Sequence, residues 1–162
     1  MGRKATKAQG HAWYQARIEA AEWNERLSSR EGAAEALHMS VDAVTDAELG
    51  LSKVMPVDKA VLMADLYNKP SLLNYYCLHE CPIGRNHAIS DEVPTIERVT
   101  VQLYSKLNEE KIKSVLHGLL MVAEDGRIEK EELTHLCDAV EYLRELSVLA
   151  SKLENLYNEQ KG

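Results

Sequence analysis

The chain has 162 residues, 45% of them hydrophobic and 28% charged, with a formal net charge of −7, the composition of one globular domain or of two small ones. It contains no Phe, two Trp and seven Tyr, so its core must be built from Leu, Val, Ala and Met. No apolar run reaches the roughly 18 residues of a membrane helix, the N-terminus lacks an apolar signal stretch, and Cys77, Cys81 and Cys137 are too few for a disulfide framework, which excludes membrane, secreted and fibrous classes and predicts a cytoplasmic chain. Residues 1–30 hold six Lys/Arg against three Asp/Glu, and every later segment is acidic. Any contact with a polyanion must therefore rest on a local footprint rather than on the whole surface.

In chain order, Trp13, Ala16, Ala20, Trp23 and Leu27 recur at steps of three and four and predict a first amphipathic helix. Ser28 followed by Glu31 reads as a capping box that opens a second, short helix through Leu37. His38 and Met39 make a turn, Ser40 caps a third helix from Val41 to Leu49, and Gly50 ends it. Pro56 starts a fourth helix with the apolar stripe Val57, Val61, Leu62 and Leu66. Asn68-Lys69-Pro70 stops it, and a short helix through Leu72, Leu73 and Tyr76 follows. Two prolines and a glycine between Pro82 and Pro94 mark a linker. Beyond it, residues 101–120 predict one long helix or a broken pair, Asp125-Gly126 a turn, and Glu129 to about Gln160 a single long helix. Alternating strand patterns are missing, so the fold class is all-α.

The stretch from Arg30 to Gly50 holds two short helices around a tight turn, with Ala34 small enough for a helix crossing and Leu37, Met39 and Val44 apolar on the inner side. This stretch resembles the lambda-repressor-like (XRE-type) helix-turn-helix family found in regulators of phages and mobile elements of Gram-positive bacteria. Leu27 to Glu31, Glu48-Leu49-Gly50, Lys53, Pro56, Leu62, Ala64, Leu66 and Tyr67 extend the likeness over residues 12–70. His38 stands where that family usually has Gly, in a left-handed position that His tolerates at modest strain.

The resemblance implies an N-terminal helix-turn-helix domain and a recognition helix presenting Ser40, Val41, Asp42, Thr45 and Asp46 to a DNA groove. Arg30 and Lys53 are the expected phosphate contacts, and Arg3, Lys4 and Lys7 a basic arm. Two carboxylates on the groove face oppose a polyanion, and none of the five residues offers the Arg–guanine or Asn/Gln–adenine pairing.

Other constellations carry less. Cys77 and Cys81 lie one helical turn apart, but three residues separate them and no second pair follows, so they read as small apolar residues rather than as a zinc site. Glu124 to Glu132 echoes half of a calcium loop, yet Met121 and Ala123 would occupy its first ligand positions without side-chain oxygens. Phosphate loop, serine elbow and His-x-x-x-His are all missing, and Cys137, on a face with Leu133, Leu136 and Val140, reads as core. No enzyme, cofactor or metal is expected. Tyr142, Leu146, Leu149, Leu153 and Leu156 form a short heptad seam.

The sequence thus predicts a basic arm (1–10), a helix-turn-helix domain (11–81), a linker (82–94) and a helical oligomerisation or partner-binding region (95–162). The expected function is sequence-specific binding of double-stranded DNA by a homodimeric transcriptional regulator. The alternative is a protein-interaction adaptor whose helix-turn-helix no longer reads DNA.

Overall fold

Why the first helix stops short of its own apolar stripe is answered by one buried arginine. A computed structural model describes residues 7–52, 55–124 and 126–161, and every regular element in them is helical. Helix α1 spans Ala12–Ala20, not the longer run that Trp23 and Leu27 suggested. Arg17 points inward from α1 and its Nη1 donates to the Leu27 carbonyl at 2.8 Å, so the chain must fold back there. It does so through a 3₁₀ turn, Glu25–Ser28, which buries Leu27 and leaves Trp23 60% exposed.

Helix α2 spans Arg30–Leu37 and is capped by Ser29, whose Oγ accepts from the Gly32 N–H at 3.1 Å. The cap is one residue later than the Ser28 box, because Ser28 still belongs to the 3₁₀ turn and Ser29 is the first extended residue. The helix ends on His38 in the left-handed region (φ 51, ψ 46), where Met39 N–H reaches back to the Ala34 carbonyl, a Schellman closure. Helix α3, Val41–Leu49, begins on the Ser40 cap and ends on Gly50 at φ 65, as the sequence predicts. Ala34 is buried where α2 packs on α3. Ala34→Leu is expected to overpack that contact and cost about 1–3 kcal/mol in a urea titration; an unchanged midpoint would show that the crossing has room.

Helix α4, Val57–Leu66, presents a different face from the predicted one. Val57, Val61 and Leu62 are exposed, and Ala60, Met63, Ala64 and Tyr67 enter the core. Both stripes have helical spacing; the smaller one is inside because alanines let the helix approach its neighbours closely. Asn68, at φ 48, ends it and α5 follows over Ser71–His79. These elements enclose one cluster around Trp13, Leu27, Leu37, Val44, Met63 and Leu72.

The chain divides into two compact units, residues 1–87 with 158–162, and residues 88–157. Residues 82–87, read from sequence as linker, belong to the first unit. Gly84 is buried against α5, where a Cβ would lie 2.3 Å from the Cys77 carbonyl oxygen. Within the same unit Lys69 bonds Glu19 at 3.0 Å and Glu159 at 3.2 Å. Burial acts to lower the Lys69 pKa, but those hydrogen bonds outweigh it and hold the ammonium above its usual value.

The second unit contains α6 (Ile96–Lys106), α7 (Glu109–Ala123) and most of α8 (Leu133–Lys161). The predicted pair is thus broken, at Asn108, whose Oδ1 accepts from the Lys111 N–H at 2.8 Å. Gly126 takes φ 71, while Asp125 lies outside the described residues. Val115, Ala139 and Tyr142 form a small cluster with Ile112, Leu119 and Leu146 against it. The first half of the heptad seam is therefore internal to the unit; Leu153 is 38% exposed. Cys137, Leu133 and Val140, expected in the core, are exposed, because α8 turns the Ala139–Tyr142 face inward instead.

Residues 88–92 lie along α8 as an extended strap. Ser147 Oγ donates to the Ala88 carbonyl, Ser151 Oγ accepts from Ser90 N–H, and Asn155 Nδ2 donates to the Ser90 and Glu92 carbonyls. Steps of four on one helix face thus satisfy a backbone that has no sheet partner. The Lys152 hydrogen bond, with Lys152 and Arg98 charges beside it, holds the Glu92 carboxyl below its usual value against a smaller opposing effect of burial.

Candidate functional site

At the N-terminal end of α2, three charged side chains from three helices meet. Arg17 of α1 and Glu48 of α3 are both buried, at 3% and 0% exposure. Arg17 Nε donates to Glu48 Oε1, and its Nη2 to Oε2 at 3.2 Å. Arg30, the first residue of α2, adds its Nε to Glu48 Oε2 at 2.7 Å. The carboxylate therefore accepts three charge-assisted bonds, and α1, α2 and α3 are locked to one another through it. The Tyr67 hydroxyl is buried without a hydrogen-bond partner. Burial, then the Glu48 charge, hold its pKa far above the usual tyrosine range, while Arg17 acts the other way.

The Arg30 side chain remains 31% exposed. Among the described residues its two Nη groups have no acceptor, and they open on a cleft of about 300 Å³ lined by Tyr14, Arg17, Ser28, Arg30 and Glu31. Free N–H groups of the first α2 turn sit beside this cleft, the arrangement that attracts anions. Glu31 opposes an anion there; Arg30 and the helix end favour one.

The other predicted residues lie along α3. Ser40 uses its Oγ to cap the helix, accepting from Ala43 N–H at 3.1 Å. Val41, Asp42 and Asp46 are exposed, and Thr45 is half-buried with its Oγ1 donating to the Val41 carbonyl at 2.8 Å. The Thr45 oxygen keeps a lone pair free to accept. Val41, Asp42 and Asp46 face outward together, with Thr45 partly exposed beside them, while Val44, Ala47 and Glu48 face the core. Lys53, like Arg3 and Lys4 of the basic arm, lies outside the described residues. Lys7 is in a 3₁₀ turn, Lys7–Gly10, with its side chain exposed.

The Arg17–Glu48 pair was not singled out in the sequence, although its signal was there. Arg17 follows Ala16 on the Trp13–Ala20 stripe, and Glu48 sits beside Val44 and Ala47 on the inner face of α3. A charge on each of two apolar stripes is a recognisable sign of a buried ion pair. The Cys77–Cys81 segment gathers no ligand set: among the described residues no group of three or more His, Cys, Asp or Glu is placed to hold a metal. Burial, followed by the Cys81 charge, pushes the Cys77 thiol up, away from the thiolate that a metal needs.

No helix among the described residues is long and apolar enough to cross a membrane. Compared with protein-family models, curated proteins and solved structures, the chain matches none.

Proposed function

We propose that the chain is a sequence-specific DNA-binding regulator of the lambda-repressor-like (XRE) helix-turn-helix type, with α2 and α3 as the motif and α3 as the recognition helix. The observation that carries this reading is the Arg17–Glu48–Arg30 brace. It fixes α3 against α1 and α2, with Val41, Asp42, Thr45 and Asp46 turned outward, and leaves the spare Arg30 donors at the N-terminal end of α2. Phosphates meet Arg30, the α2 N-terminus and Lys53; Thr45 and Val41 meet base edges and a thymine methyl. A homodimer would read two half-sites about 34 Å apart. Leu116, Leu120, Val140 and Leu143, exposed on α7 and α8, supply apolar surface for a second copy.

A second reading has its own observation. The outward face of α3 holds two carboxylates, Asp42 and Asp46, and no cation, and Glu35 on α2 is also exposed, paired to Arg26 at 3.3 Å. An acidic outward face suits a basic protein partner, as in an adaptor that keeps the helix pair as scaffold.

DNA affinity against salt separates the two. The parent should select fragments from the host genome, and Lys53→Ala should weaken all sequences alike while flattening the log–log salt slope by about one unit. Asp42→Asn with Asp46→Asn should tighten non-specific binding, and Thr45→Ala should change sequence preference. If the parent shows no binding at low salt and the Asn pair does not create any, the adaptor reading replaces this one.

A further inference from the structure

The first unit holds a second cavity, of about 240 Å³, at the C-terminal end of α3. Its walls come from His11 before α1, Ala47 and Gly50 at the end of α3, Met55, Tyr75 of α5, and Glu80 and Arg85 beyond α5. A dry cavity of roughly 150 Å³ already accepts benzene, so this one has room for a molecule somewhat larger. Its chemistry is not that of a packing defect. Glu80 Oε1 accepts from Trp13 Nε1 at 2.6 Å, and among the described residues no donor reaches its Oε2. Arg85 Nη2 donates to the His79 carbonyl at 2.6 Å, and its other guanidinium N–H groups find no acceptor among those residues. The two opposite charges line one cavity, yet they form no ion pair with each other.

We infer that this cavity binds a small zwitterion, with its carboxylate on Arg85 and its ammonium on Glu80 Oε2: a free amino acid or a close analogue. A simple anion would leave Glu80 repelling it, and a simple cation would meet Arg85. A dipolar molecule matches both charges, and its apolar part fits the Met55 and Ala47 wall. Size follows from Gly50, where a Cβ would stand 2.7 Å from His11 Nε2. Arg85, which lines the cavity, is exposed and leaves a way in for a ligand.

The inference does not rest on the DNA reading, and its test contains no DNA. Calorimetric titration of the full chain with the common L-amino acids, one at a time, should find at least one that binds with Kd below about 1 mM. Its N-acetyl form, an anion only, and its amide, a cation only, should each bind at least about tenfold more weakly. Glu80→Gln and Arg85→Gln should each lower affinity by a similar factor; Gln at 80 still accepts from Trp13, so the fold is retained. In the parent, amide and imidazole NMR shifts on titration should map to His11, Ala47 and Glu80. The assignment is overturned if no amino acid binds, if either blocked form binds as well as the zwitterion, or if the shifts map elsewhere. It is equally overturned if both Gln variants keep the parent's affinity.

Discussion

Glu48→Ala is expected to destabilise the first unit by about 3–5 kcal/mol, the usual cost of removing one partner from a buried ion pair. The variant leaves Arg17, 3% exposed, with its charge buried and met by just the Leu27 carbonyl and the face of the Tyr14 ring at 5.4 Å. It also releases Arg30 from α3. For a domain whose total stability is on the order of 5–15 kcal/mol, that is a large fraction. Urea titration followed by circular dichroism measures it. Added salt should change the loss little, because a buried pair is poorly screened. The double variant Arg17→Met with Glu48→Leu removes both charges and should recover most of the stability. A Glu48→Ala loss under about 1 kcal/mol would mean that Arg17 reaches water, and that the brace does not lock α3 as described. The same series bears on function. If the double variant folds as well as the parent but loses DNA affinity, the charges serve binding through Arg30 as well as folding.

What the sequence made legible and what it did not divide along a physical line. Turn chemistry was readable: His38, Gly50 and Asn68 each end a helix in the left-handed region, and Ser40 caps one. These signals are local, so the residue type and its neighbours suffice. Choosing between two helical faces was not readable in α4, where large Val and Leu side chains gave a convincing stripe that faces solvent. The inner stripe is decided by how closely neighbouring helices approach, and alanines permit the closer approach. The same holds for α8, whose Leu133–Val140 face looked like core. Of the candidate site, the outward residues of α3 were those that the helix-turn-helix resemblance implied. The Glu48 brace and the Glu80–Arg85 cavity did not, since each joins side chains distant in sequence that only the fold brings together.

Trp13→Ala is the other change expected to cost about 3–5 kcal/mol, the range for truncating a large buried aromatic. In a chain without Phe, Trp13 is the largest side chain that is fully buried. Its ring meets Tyr75 edge-on at 6.0 Å and 89°, and its Nε1 supplies the hydrogen bond to Glu80. Truncation therefore loses transfer free energy, leaves a cavity beside Leu27 and Met63, and strips Glu80 of its donor. Trp13→Phe separates these effects, keeping most of the apolar area while removing the N–H. Because Glu80 is only half-buried, that variant should fall near the low end of the roughly 1–3 kcal/mol for an unsatisfied polar group. Trp23→Ala is the internal control. Trp23 falls on the same three-and-four spacing as Trp13 in the sequence, yet it is 60% exposed because α1 ends at Ala20. Its removal should change stability by no more than about 0.5 kcal/mol. Denaturant midpoints for the three variants give the comparison directly. Equal losses at positions 13 and 23 would mean that α1 runs on through Trp23, that Arg17 does not turn the chain back to Leu27, and that the packing around Glu48 must be redrawn.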